Sequence, residues 1–166
     1  FVAAGLAFFV STSFSKSFSL YGERVGALSV LCQSKEEADR VLSQLKIAIR
    51  TNYSNPPIHG GAVVAAVLNT PELRALWEKE LGEMRVRIKA MRSKLVDGLK
   101  AAGVKQDMSF MTEQIGMFSY SGLSKEQMLR LRSEFGVYGT DTGRICVAAL
   151  NSKNIDYVCQ AIAKVI

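Results

Sequence analysis

Long stretches of the chain carry apolar residues at steps of three and four, or are rich in small apolar residues, and both patterns predict helices. Ser34 precedes the first stretch, with Glu37 three residues later, and Ser124 precedes another with Gln127 at the same spacing. Each pair is a capping-box signature, which marks the start of a helix. The predicted helices cover residues 34–50, 58–68, 71–102, 124–135 and 152–166.

Shorter apolar runs between these helices predict strands. The run from Leu6 to Ser13 is apolar on both faces, which is typical of a buried strand. The predicted strands cover residues 6–13, 24–33, 116–120, 137–139 and 144–148, the last two as a pair. Since helices alternate with strands throughout the chain, the sequence indicates an α/β fold.

The helix predicted over residues 71–102 is too long for one small domain, because at 1.5 Å per residue it would extend about 48 Å. We therefore predict that it joins two domains, residues 1–83 and a smaller α/β domain of residues 84–166. A coiled coil is the alternative interpretation, although the apolar repeat is short for one.

The composition is that of a globular protein, with 48% hydrophobic and 22% charged residues among 166. The net charge is +6, but basic and acidic residues are interleaved along the helices, as on solvated faces. This pattern predicts no nucleic-acid partner and favours a small anionic ligand. Three widely spaced cysteines and a single histidine predict neither a disulfide framework nor a metal site, which fits a reducing, cytoplasmic setting.

The chain opens without Met in an apolar run, Phe1 to Val10. No basic residue precedes this run, so it predicts a strand and not a signal peptide. No apolar run approaches the roughly 18 residues that span a bilayer, so we predict no membrane segment. The abrupt start indicates a piece of a larger protein.

The candidate chemistry is concentrated between Ser13 and Gly26. Lys16 follows a predicted strand and is preceded by the hydroxyls of Ser13 and Ser15, while Arg24 lies at the start of the next strand. Hydroxyl groups together with a guanidinium suit a phosphate, and a nearby lysine suits a carbonyl on the same molecule. A surface lysine in a serine-rich loop is the alternative interpretation.

The spacing of this segment, SFSKSFSLYGERVG, resembles the pyridoxal-phosphate lysine motif of class I aminotransferases, in the branch that acts on aspartate and aromatic amino acids. Three later segments resemble landmarks of the same branch: residues 50–57, 116–119 and 143–148. The resemblance implies that residues 1–83 are the C-terminal part of a large cofactor-binding domain and residues 84–166 a small domain. It also implies pyridoxal 5'-phosphate as cofactor and a homodimer.

The resemblance also implies a role for each matching residue. Lys16 would form the Schiff base with the cofactor and later move a proton on the substrate. Ser13, Ser15 and Arg24 would hold the cofactor phosphate. The residues implied to bind substrate are Arg144 at the α-carboxylate, Arg50 at a second carboxylate in the partner subunit, Ser54 in the same crossing segment and Phe118 in the pocket wall.

The implied activity is transfer of an amino group between an aromatic or acidic amino acid and 2-oxoglutarate, with the choice of amino acid left open. Family members are much longer, so residues 1–166 alone are expected to be inactive or nearly so. The alternatives are a non-catalytic assembly module and, from the spacing of Ser13 and Lys16, a serine acyl-transfer enzyme, which lacks its other motifs here. Decarboxylation or elimination is disfavoured by the pair Arg50 and Arg144.

Overall fold

The computed structural model describes all 166 residues, which pack as two compact units, residues 1–78 and residues 79–166. The helices are α1 (Lys35–Tyr53), α2 (Ile58–Asn69), α3 (Pro71–Ala101), α4 (Phe110–Glu113), α5 (Lys125–Phe135) and α6 (Ile155–Val165). The strands are β1 (Phe9–Ser13), β2 (Gly26–Val30), β3 (Phe118–Tyr120) and β4 (Arg144–Cys146). The boundary between the units falls inside α3, whose 31 residues match the predicted long helix. The domain limits 1–83 and 84–166 stay a prediction.

In the first unit, β1 and β2 form an antiparallel hairpin in which Phe9 pairs with Val30 and Ser13 with Gly26. The prediction that the first strand is buried is wrong for this chain, since Phe9 is 69% and Leu28 55% exposed. The reason is that the unit supplies only two strands and no layer that covers either face of them.

The start of α1 has one of the two bonds of the predicted capping box, and the helix runs farther than predicted. Ser34 Oγ accepts a hydrogen bond from the Glu37 amide at 3.2 Å, and the Glu37 carboxylate accepts one from the Gln33 amide at 2.6 Å. The helix continues to Tyr53 and stops at Ser54, which has a positive φ of 73°. Arg50 therefore lies in the last turn of the helix.

The second unit has a continuous apolar core. The fully buried side chains at its centre come from α3, α4, α5 and α6: Leu95, Leu99, Met111, Met128, Leu131 and Ile162. On α3, α5 and α6 these side chains come from predicted helices, whereas the short helix α4, which carries Met111, was not predicted. The core fixes the C-terminal part of α3 against the strands that carry the candidate site.

One strand pairing in this unit differs from the prediction. Strand β4 pairs with β3, with Phe118 opposite Cys146 and Tyr120 opposite Arg144, and residues 137–139 form no strand. The amide of Val137 instead donates to the Leu131 carbonyl at 3.0 Å and closes the end of α5, where Gly136 is left-handed. A donor used in a helix cap is not available to a strand ladder.

Candidate functional site

The β1–β2 hairpin carries the serines, Lys16 and Arg24 at one end, in the connection between its strands. Ser13 pairs with Gly26, and the Phe14 amide donates to the Val25 carbonyl at 3.2 Å. The ladder ends there, and Ser15 and Arg24 lie in the turns just beyond its last pair. Residues that are eight or more positions apart in sequence therefore share one end of the hairpin.

A tight turn after β1 fixes the backbone around Lys16. The Ser19 amide donates to the Lys16 carbonyl at 3.3 Å, and Ser19 has a positive φ of 56°. Ser15 is buried, and its amide donates to Ser13 Oγ at 3.3 Å. Because the Ser13 hydroxyl accepts this bond through a lone pair, its own hydrogen can still be donated to an anion.

Aromatic side chains support this turn from one side. Phe14 meets Phe18 edge to face with ring centroids 5.5 Å apart, and Phe18 stacks on Trp77 at 4.7 Å. Trp77 Nε1 donates a 2.7 Å hydrogen bond to the carbonyl of Ser17, the residue that follows Lys16. These contacts attach the turn to the first residues of α3.

Tyr21 contacts both cationic side chains of the hairpin end. Lys16 Nζ lies 5.4 Å from the centroid of the Tyr21 ring, and Arg24 Nη1 donates to the Tyr21 carbonyl at 2.9 Å. Arg24 has a positive φ of 51°, which costs an ordinary residue about 1–2 kcal/mol. The hairpin thus holds two cations against one residue, with strained backbone at one of them.

A cleft of about 270 Å³ opens beside Arg24. It is lined by Ser11, Arg24, Val25, Gly26, Ala27, Leu28, Tyr53, Pro56 and Pro57. Lys16, Ser13 and Ser15 do not line it. Of the residues predicted to hold the phosphate, only Arg24 therefore faces this cleft.

Arg50 and Ser54 lie together where α1 ends. Arg50 Nη1 donates to Ser54 Oγ at 3.1 Å, and Ser54 Oγ donates to Asn55 Oδ1 at 3.4 Å. Both Arg50 and Ser54 are exposed. The positive φ of Ser54 turns the chain sharply, which allows the residue four positions after Arg50 to contact its guanidinium.

In the second unit, Arg144 begins β4 and lies against Phe118 of β3. The guanidinium carbon is 5.0 Å from the Phe118 ring centroid, a cation–π distance. The Arg144 amide donates to Thr140 Oγ1 at 3.1 Å, and the Thr140 amide donates to the Arg144 carbonyl at 2.9 Å. The side chain is exposed, so its donors are open to a ligand from solution.

Sequence reasoning missed two residues that support these positions, Trp77 and Arg92. Trp77 lies within the predicted long helix, and its hydrogen bond to the Ser17 carbonyl was not predicted. Arg92 is 4% exposed and lies on the same face of α3 as Ile88, Leu95 and Leu99. A charged residue at an apolar helical position was the signal that could have identified Arg92.

The comparisons with known proteins agree with the class of protein that the lysine segment predicted. The family model "Aminotransferase class I and II" matches residues 1–162. The chain belongs to this family.

Particular relatives are aspartate and aromatic-amino-acid aminotransferases. The chain is 63% identical over 166 residues to the aspartate aminotransferase of Pseudomonas aeruginosa, and the match covers 100% of this chain and 42% of that protein. It is 55% identical over 163 residues to the aromatic-amino-acid aminotransferase of Escherichia coli, and the match covers 98% of this chain and 41% of that protein. The chain thus spans about two fifths of the length of these relatives, and the predicted family and branch are confirmed.

A solved structure is similar along nearly the whole chain. It is an aromatic-amino-acid aminotransferase from Burkholderia pseudomallei covalently bound to pyridoxal phosphate, with a TM-score of 0.94 and 69% identity. The match covers 99% of this chain and 41% of that one. The predicted α/β fold, as part of an aminotransferase, is therefore confirmed.

Proposed function

We propose that the complete protein is a pyridoxal-phosphate-dependent transaminase that moves an amino group between an aromatic or acidic amino acid and 2-oxoglutarate. The observation that carries the proposal is the match to the aminotransferase family over residues 1–162, a range that includes the segment from Ser13 to Arg24 between β1 and β2. The named relatives that match most of the chain support the same class of reaction.

The donor set at the hairpin end fits a phosphate group. Arg24 offers a planar pair of N–H donors, and Ser13 at the end of β1 and Ser15 in the turn that follows add hydroxyl donors. One Arg24 donor, Nη1, is already used by the Tyr21 carbonyl, which fixes the direction of the guanidinium. We assign Ser13, Ser15 and Arg24 to the cofactor phosphate and Lys16 to its aldehyde.

Pyridoxal phosphate, when bound, supplies the aldehyde that reacts with amines and the ring that stabilises negative charge at the substrate α-carbon. Lys16 then has the separate task of taking a proton from that carbon and returning it. The Lys16 carbonyl accepts a hydrogen bond from the Ser19 amide, which fixes the backbone from which the side chain extends. A fixed backbone limits the positions that the amine can occupy.

We assign substrate binding to the arginines. Arg144 would bind the α-carboxylate, since its exposed guanidinium forms no salt bridge with a carboxylate of the second unit. Phe118 would form the wall beside it. Arg50, with Ser54, would bind the second carboxylate of an acidic substrate in the partner subunit of a homodimer.

The cellular setting that we propose is the cytoplasm. None of the helices is long and apolar enough to cross a membrane. The three cysteines are free, which agrees with a reducing compartment.

The test is a substrate panel on the complete enzyme, with aspartate and tyrosine as amino donors to 2-oxoglutarate. Lys16→Ala should abolish transamination. It should also abolish the absorbance band that arises when the cofactor is covalently linked to a lysine. Arg144→Lys keeps the charge but loses the bidentate geometry, and we expect kcat/KM to fall by about 100-fold, or ~3 kcal/mol.

Arg130→Lys is the matched control, since Arg130 bonds Glu134 on the surface of α5 and should leave kcat/KM unchanged. Failure of both donors to react in the wild-type enzyme would refute the proposed function. Equal effects of the two arginine substitutions would refute the role assigned to Arg144.

A further inference from the structure

We propose that Arg92 is a positioning residue that holds strand β3 so that Phe118 and Arg144 present a carboxylate site. The inference rests on the proposed function, because it takes Arg144 as the group that binds the substrate carboxylate. Arg92 lies on α3 and is 4% exposed, so it does not reach the substrate. It would act through the strand that it holds.

Arg92 binds the backbone and side chain of one short segment. Its Nη2 donates to the carbonyls of Gly116 at 2.7 Å and Phe118 at 3.3 Å. Its Nη1 donates to Ser119 Oγ at 2.7 Å and to the Met111 carbonyl at 3.2 Å. Three of the four acceptors lie in or directly before β3, so the guanidinium fixes that strand more than any other part of the unit.

Arg92 has no carboxylate partner in this network. All four of its acceptors are neutral oxygens, and burial lowers the pKa of its guanidinium. A buried charge without an opposite charge is unfavourable unless its donors are hydrogen-bonded. A plain apolar side chain would fill the same space without this cost, so the hydrogen bonds to β3 are the specific contribution of Arg92.

Gln114 completes the support on the edge of β3 that is not paired with β4. Its Oε1 accepts from Ser119 Oγ at 2.6 Å and from the Tyr120 amide at 2.8 Å, and its Nε2 donates to the Tyr120 carbonyl at 3.0 Å. Ser119 Oγ thus accepts from Arg92 and donates to Gln114. Side chains on this edge take the place of a third strand.

The other edge and one face of β3 contact Arg144. Tyr120 is its ladder partner, and the Phe118 ring lies 5.0 Å from its guanidinium carbon. Arg92 holds the carbonyl of Phe118, so a shift of this backbone would move the ring and the guanidinium together. The position of an exposed arginine therefore depends on a buried one.

The experiment is a double-mutant cycle between Arg92 and Arg144 in the complete enzyme. The quantity measured is the dissociation constant of succinate, a dicarboxylate without an amino group. Arg92→Lys should raise this constant and the KM of the amino donor by about tenfold, with kcat changed by less than about threefold, because the N–H donors of a single nitrogen cannot reproduce the four hydrogen bonds of a planar guanidinium. In an Arg144→Lys background, Arg92→Lys should have little further effect, since the guanidinium that it positions is absent.

Arg87→Lys is the matched control. Arg87 also lies on α3 and donates to two carbonyls, those of Ala148 and Leu150 at 2.8 Å each, but it makes no contact with β3. We expect it to lower the thermal midpoint as Arg92→Lys does, while the succinate constant stays within about twofold. If both variants lower the thermal midpoint but only Arg92→Lys weakens the binding of succinate, the weaker binding comes from a loss of positioning and not from a loss of stability.

Two results would overturn the inference: an unchanged succinate constant in Arg92→Lys, or the same fold-increase with Arg144 present and replaced. Neither result would count against the proposed function, provided that the wild-type enzyme transaminates and that Arg144→Lys weakens the binding of succinate. An enzyme that transaminates neither donor would instead refute the proposed function.

Discussion

Two of the four cations assigned to cofactor or substrate lie against an aromatic ring. Lys16 Nζ is 5.4 Å from the Tyr21 ring, and the Arg144 guanidinium carbon is 5.0 Å from the Phe118 ring. Such contacts are worth about 0.5–1 kcal/mol at exposed sites. They are too weak to stabilise the fold, but they limit the directions in which the cations point.

The buried polar groups of the second unit behave differently. The Cys159 thiol is 3% exposed, donates to the Leu95 carbonyl at 3.7 Å and has a pKa raised by burial to about 11. It therefore stays protonated near neutral pH and acts as a small core residue. Sulfur chemistry is not expected from it.

Trp77 provides a direct test of how the turn beside Lys16 is supported. Trp77→Phe keeps an aromatic ring that can stack on Phe18 but removes the 2.7 Å hydrogen bond to the Ser17 carbonyl. We expect a loss of about 1 kcal/mol in the free energy of unfolding, measured by urea denaturation of the complete enzyme.

Trp77→Ala is the companion variant, because it removes both contacts and should cost about 3 kcal/mol. A Trp77→Phe protein as stable as the wild type would show that the hydrogen bond contributes nothing to holding the turn.

Both ends of α5 were predicted from the sequence. Ser124 Oγ accepts from the Gln127 amide at 3.3 Å, and Gln127 Oε1 accepts from the Ser124 amide at 2.8 Å, which is the predicted capping box. Local contacts of this kind depend on residues three positions apart, so spacing reveals them. The same holds for Gly136, which is left-handed at the end of α5 as a terminal glycine suggests.

Contacts between distant segments could not be predicted in this way. The partner of β4 is β3 and not residues 137–139, and Arg92 bonds a strand more than 20 residues away. Neither contact leaves a fixed spacing in the sequence. The lysine and arginine segments were identified through a family resemblance, whereas residue types alone left a surface lysine as an alternative.

Ser124→Ala tests the capping box on α5. The substitution leaves the Gln127 amide without its partner, and we expect the protein to lose about 1 kcal/mol of stability, measured as the midpoint of urea unfolding. Ser133→Ala on the same helix is the control, because Ser133 is exposed in the helix interior, where alanine is the better helix former. Equal midpoint shifts for the two variants would contradict the assigned cap.

The two units differ sharply in how much of them is buried. The second unit buries fifteen hydrophobic residues in one cluster, whereas in the first unit only Ser15, Gly60 and Val64 are buried. Large apolar side chains there are open to solvent, for example Phe9 at 69% and Ile58 at 81%. Large exposed apolar side chains in such number are typical of faces that other polypeptide covers.

This difference predicts the behaviour of residues 1–166 expressed alone. We expect the chain to self-associate through the β1–β2 hairpin and to bind a hydrophobic dye, because both edges of the hairpin and its apolar faces are exposed. Sedimentation velocity at several concentrations measures the association. Phe9→Lys combined with Leu28→Lys should reduce the self-association, because charges on an exposed strand oppose pairing. The control is a pair of Lys substitutions at the exposed helical positions Ser43 and Ser133, which should leave the self-association unchanged. A chain that stays monomeric at all concentrations would contradict the assignment of the hairpin as a surface that other polypeptide covers.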